Sequence, residues 1–178
     1  MDKRITEVIF IIDKSGSMRP LKEDTIGGYN SFVEKQKEGK GECYLSTILF
    51  STDFKKIIDH ESIEKAKAMT SDEYITSGNT ALLDALGASI NEMSEYLKEK
   101  EEKRKVIFVI ITDGLENASK EYDLHNVRLM IEEKQKRRLG IHLSSEQSRC
   151  FFRGKKYGDM PKARRELSSF WRKRHHML

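Results

Sequence analysis

Two carboxylates and three hydroxyls lie in three separate polar turns of the chain. Asp13, Ser15 and Ser17 come directly after a run of five apolar residues. Thr80 closes a short polar turn, and Asp113 follows a second apolar run. All five side chains offer oxygen, and none of the three turns contains a histidine or a cysteine. If the fold brings the turns together, their chemistry predicts the binding of a hard cation.

The donor set narrows the choice of cation. Hard oxygen ligands favour Mg²⁺, with Mn²⁺ able to take its place. Three neutral alcohols and only two acids make a poor cage for Ca²⁺, and the missing nitrogen and sulfur disfavour Zn²⁺. If the carboxylates act mainly through water, the ion stays strongly electrophilic. An open position on it would attract an anionic oxygen, and the Asp or Glu side chain of a partner protein is the obvious candidate.

The two apolar runs predict the strands that would position these groups. Val8–Ile12 and Val106–Ile111 are unbroken apolar segments rich in β-branched residues, which is typical of strands buried on both faces. Strands that alternate with helices predict an α/β protein with a mostly parallel sheet and helices on both faces. The carboxyl ends of central parallel strands meet on one rim, where open α/β sheets bind their ligands.

The rest of the pattern predicts three helices and two further strands. Apolar residues at helical spacing place the helices at Thr25–Lys37, Thr80–Lys98 and Asp123–Arg138. Glu42–Phe50 predicts a strand, and Phe54–Ile58 predicts a short antiparallel strand on the sheet edge, guarded by lysines. Gly27-Gly28 is a poor helix interior and predicts a close approach of another backbone. Residues 60–69 predict a short charged helix or a loop.

The three turns together resemble a known family. Asp13-Lys14-Ser15-Gly16-Ser17 resembles the metal-ion-dependent adhesion site of von Willebrand factor type A domains. The stretch Ser77–Ala85 is similar to the family's second loop, and Ile111–Gly114 is similar to its third loop. The resemblance implies that the two serines and Thr80 bind the metal directly, and that Asp13 and Asp113 act through water.

The resemblance covers roughly residues 5–138. It implies a doubly wound, Rossmann-like α/β fold, which would be incomplete at its C-terminus if the tail adds no strands. It also implies that the chain binds partner proteins through the metal, usually without catalysis. Small stand-alone bacterial members that lie in the cytoplasm are the most similar type.

Simpler interpretations exist for each turn taken alone. An isolated Asp-x-Ser-x-Ser is a capped turn, an isolated Thr80 is a helix N-cap, and Asp113-Gly114 is a turn. Asp84 and Glu116 are interpreted as solvated or supporting groups. An enzyme alternative makes Asp13 the phosphoryl-accepting nucleophile of a Mg²⁺-dependent phosphatase or phosphotransferase. That chemistry expects a second acid two residues later, where this chain has Ser15.

Composition limits the cellular setting that we expect. No apolar run approaches the roughly 20 residues that span a bilayer, so we expect no membrane partner. Two cysteines far apart in the sequence make a disulfide framework improbable. The N-terminal residues lead into the first strand without the pattern of a signal peptide. These features predict a cytoplasmic protein.

The last part of the chain differs in charge from the rest. Residues 1–136 contain 21 basic and 26 acidic residues, whereas residues 137–178 contain 12 basic and 3 acidic ones, with arginine replacing lysine as the main basic type. We therefore predict a domain over residues 1–138 and a divergent basic tail over 139–178, in which 139–143 is at best a short strand. Three interpretations of the tail stay open: an arm for nucleic acid or another acidic partner, a divergent folded end, or a change of reading frame, which is slightly favoured.

Overall fold

A five-stranded sheet forms the centre of the protein, for which a computed structural model describes residues 5–39, 41–113, 116–136 and 140–144. The strands are β1 (Ile5–Asp13), β2 (Glu42–Phe50), β3 (Phe54–Ser62), β4 (Arg104–Ile111) and β5 (Gly140–Ser144). Their order across the sheet is β3-β2-β1-β4-β5. The apolar runs thus occupy β1 and β4, which lie side by side in the interior of the sheet.

The pairing of the strands confirms the predicted sheet type. β1 is parallel to both β2 and β4, and β4 is parallel to β5. β3 is antiparallel to β2 and forms one edge, as the lysines near its start indicated. Because β1 and β4 run in the same direction, Asp13 and the residues after Ile111 emerge at the same rim of the sheet.

Three helices cover the two faces of this sheet, namely α1 (Lys22–Lys37), α2 (Leu82–Lys98) and α3 (Leu124–Lys136). Alternate residues of a strand point to opposite faces, so β1 supplies both cores. Phe10 and Ile12 pack with apolar residues of α1, whereas Ile9 and Ile11 pack with apolar residues of α2 and α3. The doubly wound arrangement follows from a central strand whose residues 8–12 are all apolar and buried, so that both of its faces can pack against helices.

Several boundaries differ from the predictions. A 3₁₀ turn over Gly16–Leu21 leads directly into α1, so the helix begins at Lys22 rather than Thr25. β3 continues to Ser62, which places His60 inside a strand. The expected close approach at Gly27-Gly28 is wrong, since a Cβ atom at either position would meet nothing within 4 Å.

The short strand predicted after residue 138 is present as β5, which pairs with Lys105–Val109 of β4. Residue 139 and residues 145–178 of the predicted tail lie outside the described residues, so the three interpretations of the tail are not tested by the structure. The domain boundary at 138 stays a prediction. Within the described ranges, no helix combines the length and the apolar character needed to cross a bilayer.

Candidate metal centre

The first turn holds three of the five predicted ligands in one hydrogen-bonded group. Asp13 is fully buried at the end of β1, and its Oδ1 accepts a hydrogen bond of 2.7 Å from the backbone N–H of Ser15. The hydroxyls of Ser15 and Ser17 lie 3.1 Å apart. Ser15 is buried and Ser17 is exposed, so this group extends from the sheet interior to the surface.

Backbone hydrogen bonds attach the second turn to the first. The N–H of Gly16 donates to the carbonyl of Gly78 at 3.0 Å, and the N–H of Ser77 donates to the carbonyl of Lys14 at 2.7 Å. Gly78 has a φ of +77°, a left-handed conformation that favours glycine. The Ser77–Thr80 turn therefore lies beside the Asp13–Ser17 turn, as the predicted site requires.

Thr80 connects the second turn to the third. Its side chain is buried, and its backbone N–H donates to Oδ1 of Asn117 at 2.9 Å. The Thr80 carbonyl in turn accepts hydrogen bonds from the N–H groups of Asn117 and Ala118. All three turns are thus joined at one rim of the sheet.

The two aspartates face an electrostatic conflict at this rim. Burial raises the pKa of the Asp13 carboxyl above its ordinary value, hydrogen bonds from Ser15 and Thr112 lower it, and the nearby charge of Asp113 raises it further. Asp113 Oδ1 is buried, and no hydrogen-bond partner for it exists among the described residues. A buried carboxylate oxygen without a partner is costly, and a cation would supply the missing partner.

The groups at the rim fit a hard divalent cation. Two carboxylates and three hydroxyls match the oxygen ligands that Mg²⁺ and Mn²⁺ prefer. In the described part of the chain, no three His, Cys, Asp or Glu side chains are grouped as a metal site. The candidate set contains only two such side chains, Asp13 and Asp113, together with three hydroxyls, so this observation does not exclude it. The assignment of the five residues as ligands stays a prediction.

Sequence reasoning placed Lys14 beside the site but did not predict the contacts by which it joins the first two turns to the sheet edge. Lys14 donates from Nζ to Ser51 Oγ at 3.1 Å and to Asp53 Oδ1 at 3.0 Å. Its backbone N–H also donates to Phe50 and its carbonyl accepts from Ser77. The ammonium group is thereby held toward the β2–β3 turn. The only sequence signal was the position of a lysine between two candidate metal ligands, Asp13 and Ser15.

The carboxylates of Asp84 and Glu116 support the neighbouring backbone by accepting hydrogen bonds and are not simply solvated. The Asp84 carboxylate, in the first turn of α2, accepts backbone hydrogen bonds from Lys120, Glu121 and Tyr122 at 2.8–2.9 Å. Glu116 accepts from the N–H of Leu83 at 2.9 Å and also bonds to residues 118 and 119. These contacts fix residues 116–122 against the N-terminus of α2.

A match over most of the sequence identifies the family. A family model described as von Willebrand factor type A domain matches residues 7–148. The chain belongs to this family. Domains of the family are generally interaction modules. The match extends ten residues beyond 138, where the resemblance was expected to end, and includes β5 of this von Willebrand factor type A domain.

Solved structures similar to this von Willebrand factor type A domain come from varied proteins. BatB from Bacteroides thetaiotaomicron, described as a conserved hypothetical protein, is 18% identical with a TM-score of 0.49, over 78% of this chain and 64% of its own. Proximal thread matrix protein 1 from the mussel byssus is 17% identical with a TM-score of 0.49, over 79% of this chain and 35% of its own. The type V pili tip protein Mfa5 from Porphyromonas gingivalis is 16% identical with a TM-score of 0.46, over 64% of this chain and 20% of its own.

The chain therefore spans less than two thirds of the length of each of these proteins. A comparison with curated proteins gives no match.

Proposed function

We propose that this von Willebrand factor type A domain is an interaction module that captures an acidic side chain of a partner protein through a bound Mg²⁺ ion, with Mn²⁺ as a possible substitute. Ser15, Ser17 and Thr80 would hold the ion directly, and Asp13 and Asp113 would hold it through water. When bound, the ion supplies a Lewis-acidic position for an external carboxylate. The five residues would then form a metal-ion-dependent adhesion site.

The observation that carries the proposal is the unpartnered buried oxygen of Asp113 close to a fully buried Asp13. Burial and the nearby charge of Asp113 both disfavour the ionised form of Asp13 and raise its pKa. Surface carboxylates would avoid that cost by facing water. The arrangement is explained if a cation occupies the rim and compensates both charges.

The first experiment measures metal binding. Isothermal titration of the full chain with MgCl₂ and with MnCl₂ is expected to give one site, and Asp13→Ala is expected to abolish it. Asp72→Asn is the matched control, because Asp72 is an exposed carboxylate in a turn that precedes the second loop. Circular dichroism checks that both variants keep the fold. Unchanged Mg²⁺ affinity in Asp13→Ala would refute the assignment.

The phosphotransfer alternative makes a different prediction. A nucleophilic Asp13 would turn over a generic phosphoester such as p-nitrophenyl phosphate with Mg²⁺, and Asp13→Asn would abolish the turnover. Both oxygens of Asp13 accept hydrogen bonds, from Ser15 and from Thr112, and the residue is fully buried. This environment favours a positioning role over in-line attack, and we expect no turnover.

Two further parts of the hypothesis concern the setting. A cytoplasmic location in a bacterium remains our prediction, and fractionation of the source cells checks it. Binding of nucleic acid through the basic tail is the remaining alternative. Such binding would weaken steeply with salt and would disappear when residues 139–178 are deleted.

A further inference from the structure

Two of the exposed large apolar side chains of the described residues lie in segments next to the candidate metal centre. Among the described residues, three large apolar side chains are exposed: Phe54 at 57%, Ile75 at 65% and Leu129 at 49%. Leu129 lies on α3. Phe54 and Ile75 both lie in the segments that surround the first turn. Exposed apolar groups near a binding site are candidates for partner contact.

The strand register fixes the position of Phe54. Phe54 pairs with Phe50 across the β2–β3 hairpin, and Phe50 pairs with Asp13 between β2 and β1. These three residues form one row across the sheet. Neighbouring strands lie about 4.8 Å apart, so the backbone of Phe54 is roughly 10 Å from that of Asp13.

Backbone hydrogen bonds fix the position of Ile75. Two residues after it, the N–H of Ser77 donates to the carbonyl of Lys14 at 2.7 Å. Two residues span at most about 7 Å. The residue before it, Tyr74, is fully buried, and its hydroxyl donates to the backbone carbonyl of Asp13. Ile75 is therefore presented to solvent by a segment anchored on both sides to the first turn.

The charges next to Phe54 are already matched. The Lys14 ammonium pairs with Asp53 at 3.0 Å, and the Lys14 side chain is only 15% exposed. Asp53 directly precedes Phe54. This part of the rim thus offers apolar surface and a neutralised ion pair, rather than a second free charge.

We infer that Phe54 and Ile75, which are exposed on the two segments next to the first turn, provide the contact for a large apolar side chain of the same partner segment whose carboxylate reaches the metal centre. This inference rests on the proposed function. An extended chain advances about 3.3 Å per residue, so distances of roughly 7–10 Å correspond to two or three residues. The partner class is a protein segment with an Asp or Glu and a large apolar residue two or three positions away.

Selection from a random peptide display library tests the inference. The full chain is the bait, and selections run in parallel with Mg²⁺ and with EDTA. We expect Mg²⁺-dependent enrichment of peptides that combine an acidic residue with Leu, Ile, Phe, Met or Trp at that spacing. The affinity of the best synthetic peptide is then measured by fluorescence anisotropy.

Matched variants locate the contact. Ile75→Ser and Phe54→Ser are expected to weaken the peptide by about tenfold each, the effect of losing one well-buried apolar contact. Leu129→Ser is the control, because it removes an equally apolar exposed residue on α3, and it is expected to change nothing. The Mg²⁺ affinity should be the same in all three variants.

The outcomes separate the two proposals. If every variant keeps its Mg²⁺ binding, Asp13→Ala included, the proposed function is overturned. If Asp13→Ala loses Mg²⁺ but the selected peptides lack the apolar residue, or bind Ile75→Ser and Phe54→Ser normally, only the present inference is overturned. A chain that binds Mg²⁺ and enriches no peptide in its presence overturns it as well.

Discussion

Lys14 positions the first turn of the candidate metal centre, although it is not one of the predicted ligands. A lysine between two candidate ligands places an ammonium group where it could compete with a cation for the carboxylates. Its pairing with Asp53 and Ser51 directs that charge to the β2–β3 turn instead. The same residue also joins the first turn to Phe50 and Ser77 through its backbone. Its side chain therefore affects both stability and the electrostatics of the rim.

A double-mutant cycle isolates the Lys14–Asp53 interaction. Lys14→Met and Asp53→Asn, alone and together, are expected to give a coupling free energy of about 0.2–1 kcal/mol, because the Asp53 side chain is 75% exposed. Chemical denaturation measures it. Lys14→Arg should retain much of the coupling. A coupling of zero with unchanged Mg²⁺ affinity would mean that the pair has no positioning role.

The coupling should depend on pH in a defined direction. The hydrogen bond from Lys14, together with that from Ser51, lowers the pKa of Asp53 below its ordinary value. A carboxyl with a lowered pKa stabilises the fold above its unfolded-chain pKa of about 3.9, and this contribution is lost as the pH falls through the folded pKa. We therefore expect the coupling at pH 7 and its disappearance in acid.

At the scale of elements, the N-terminus of α2 fixes residues 116–122, which follow the third loop. Three consecutive N–H groups, from residues 120 to 122, converge on the Asp84 carboxylate, and Glu116 caps the adjacent N–H of Leu83. A carboxylate in the first turn of a helix is also favoured by the helix dipole. Tyr122 then packs over Gly87, where an added Cβ would clash with the ring. Together these contacts brace the segment that follows Asp113.

Asp84→Asn tests this bracing. The variant keeps one acceptor but loses the charge, so we expect the amides of Lys120, Glu121 and Tyr122 to exchange hydrogen faster and Mg²⁺ affinity to fall several-fold. Each hydrogen bond to a charged group contributes about 1.5–3 kcal/mol. Hydrogen exchange read by mass spectrometry measures the loop, and Glu121→Gln is the control at an exposed position in it. Normal exchange at all three amides would contradict the interpretation.

At the scale of the whole molecule, β1 carries two buried acids with different roles. Glu7 lies near the start of β1 and is fully buried, but it is paired with Arg104 Nη1 at 2.5 Å and with His60 Nδ1 at 3.1 Å. His60 also stacks on Tyr96, with ring centroids 3.6 Å apart. Asp13, at the other end of the strand, has no basic partner at that distance among the described residues. The first acid is compensated within the fold, and the second is available for a cation.

Removal of the Glu7 partner should therefore affect stability alone. Arg104→Met leaves a buried carboxylate short of its main partner and is expected to lower the free energy of unfolding by about 3–5 kcal/mol. Adding Glu7→Gln should recover much of that loss. Six residues of strand place the cluster roughly 20 Å from the metal centre, so Mg²⁺ affinity should stay unchanged in the double variant. Thermal denaturation and calorimetric titration measure the two properties, and a weakened Mg²⁺ site would show that the two ends are coupled.

The sequence by itself determined the sheet type, the two central strands and the edge strand, because these depend on local apolar patterning and on lysines at an edge. It also identified five oxygen-bearing residues, since each follows or precedes a recognisable element. Tertiary structure alone decided the rest. Contacts of Lys14 with Asp53, of Asp84 with residues 120–122 and of Glu7 with His60 and Arg104 join positions 36 to 97 residues apart. The spacing of residues along the chain does not encode such pairs, and neither does it distinguish the open helix position of Gly27 from the crowded one of Gly87, because packing distances are set only when separate elements meet.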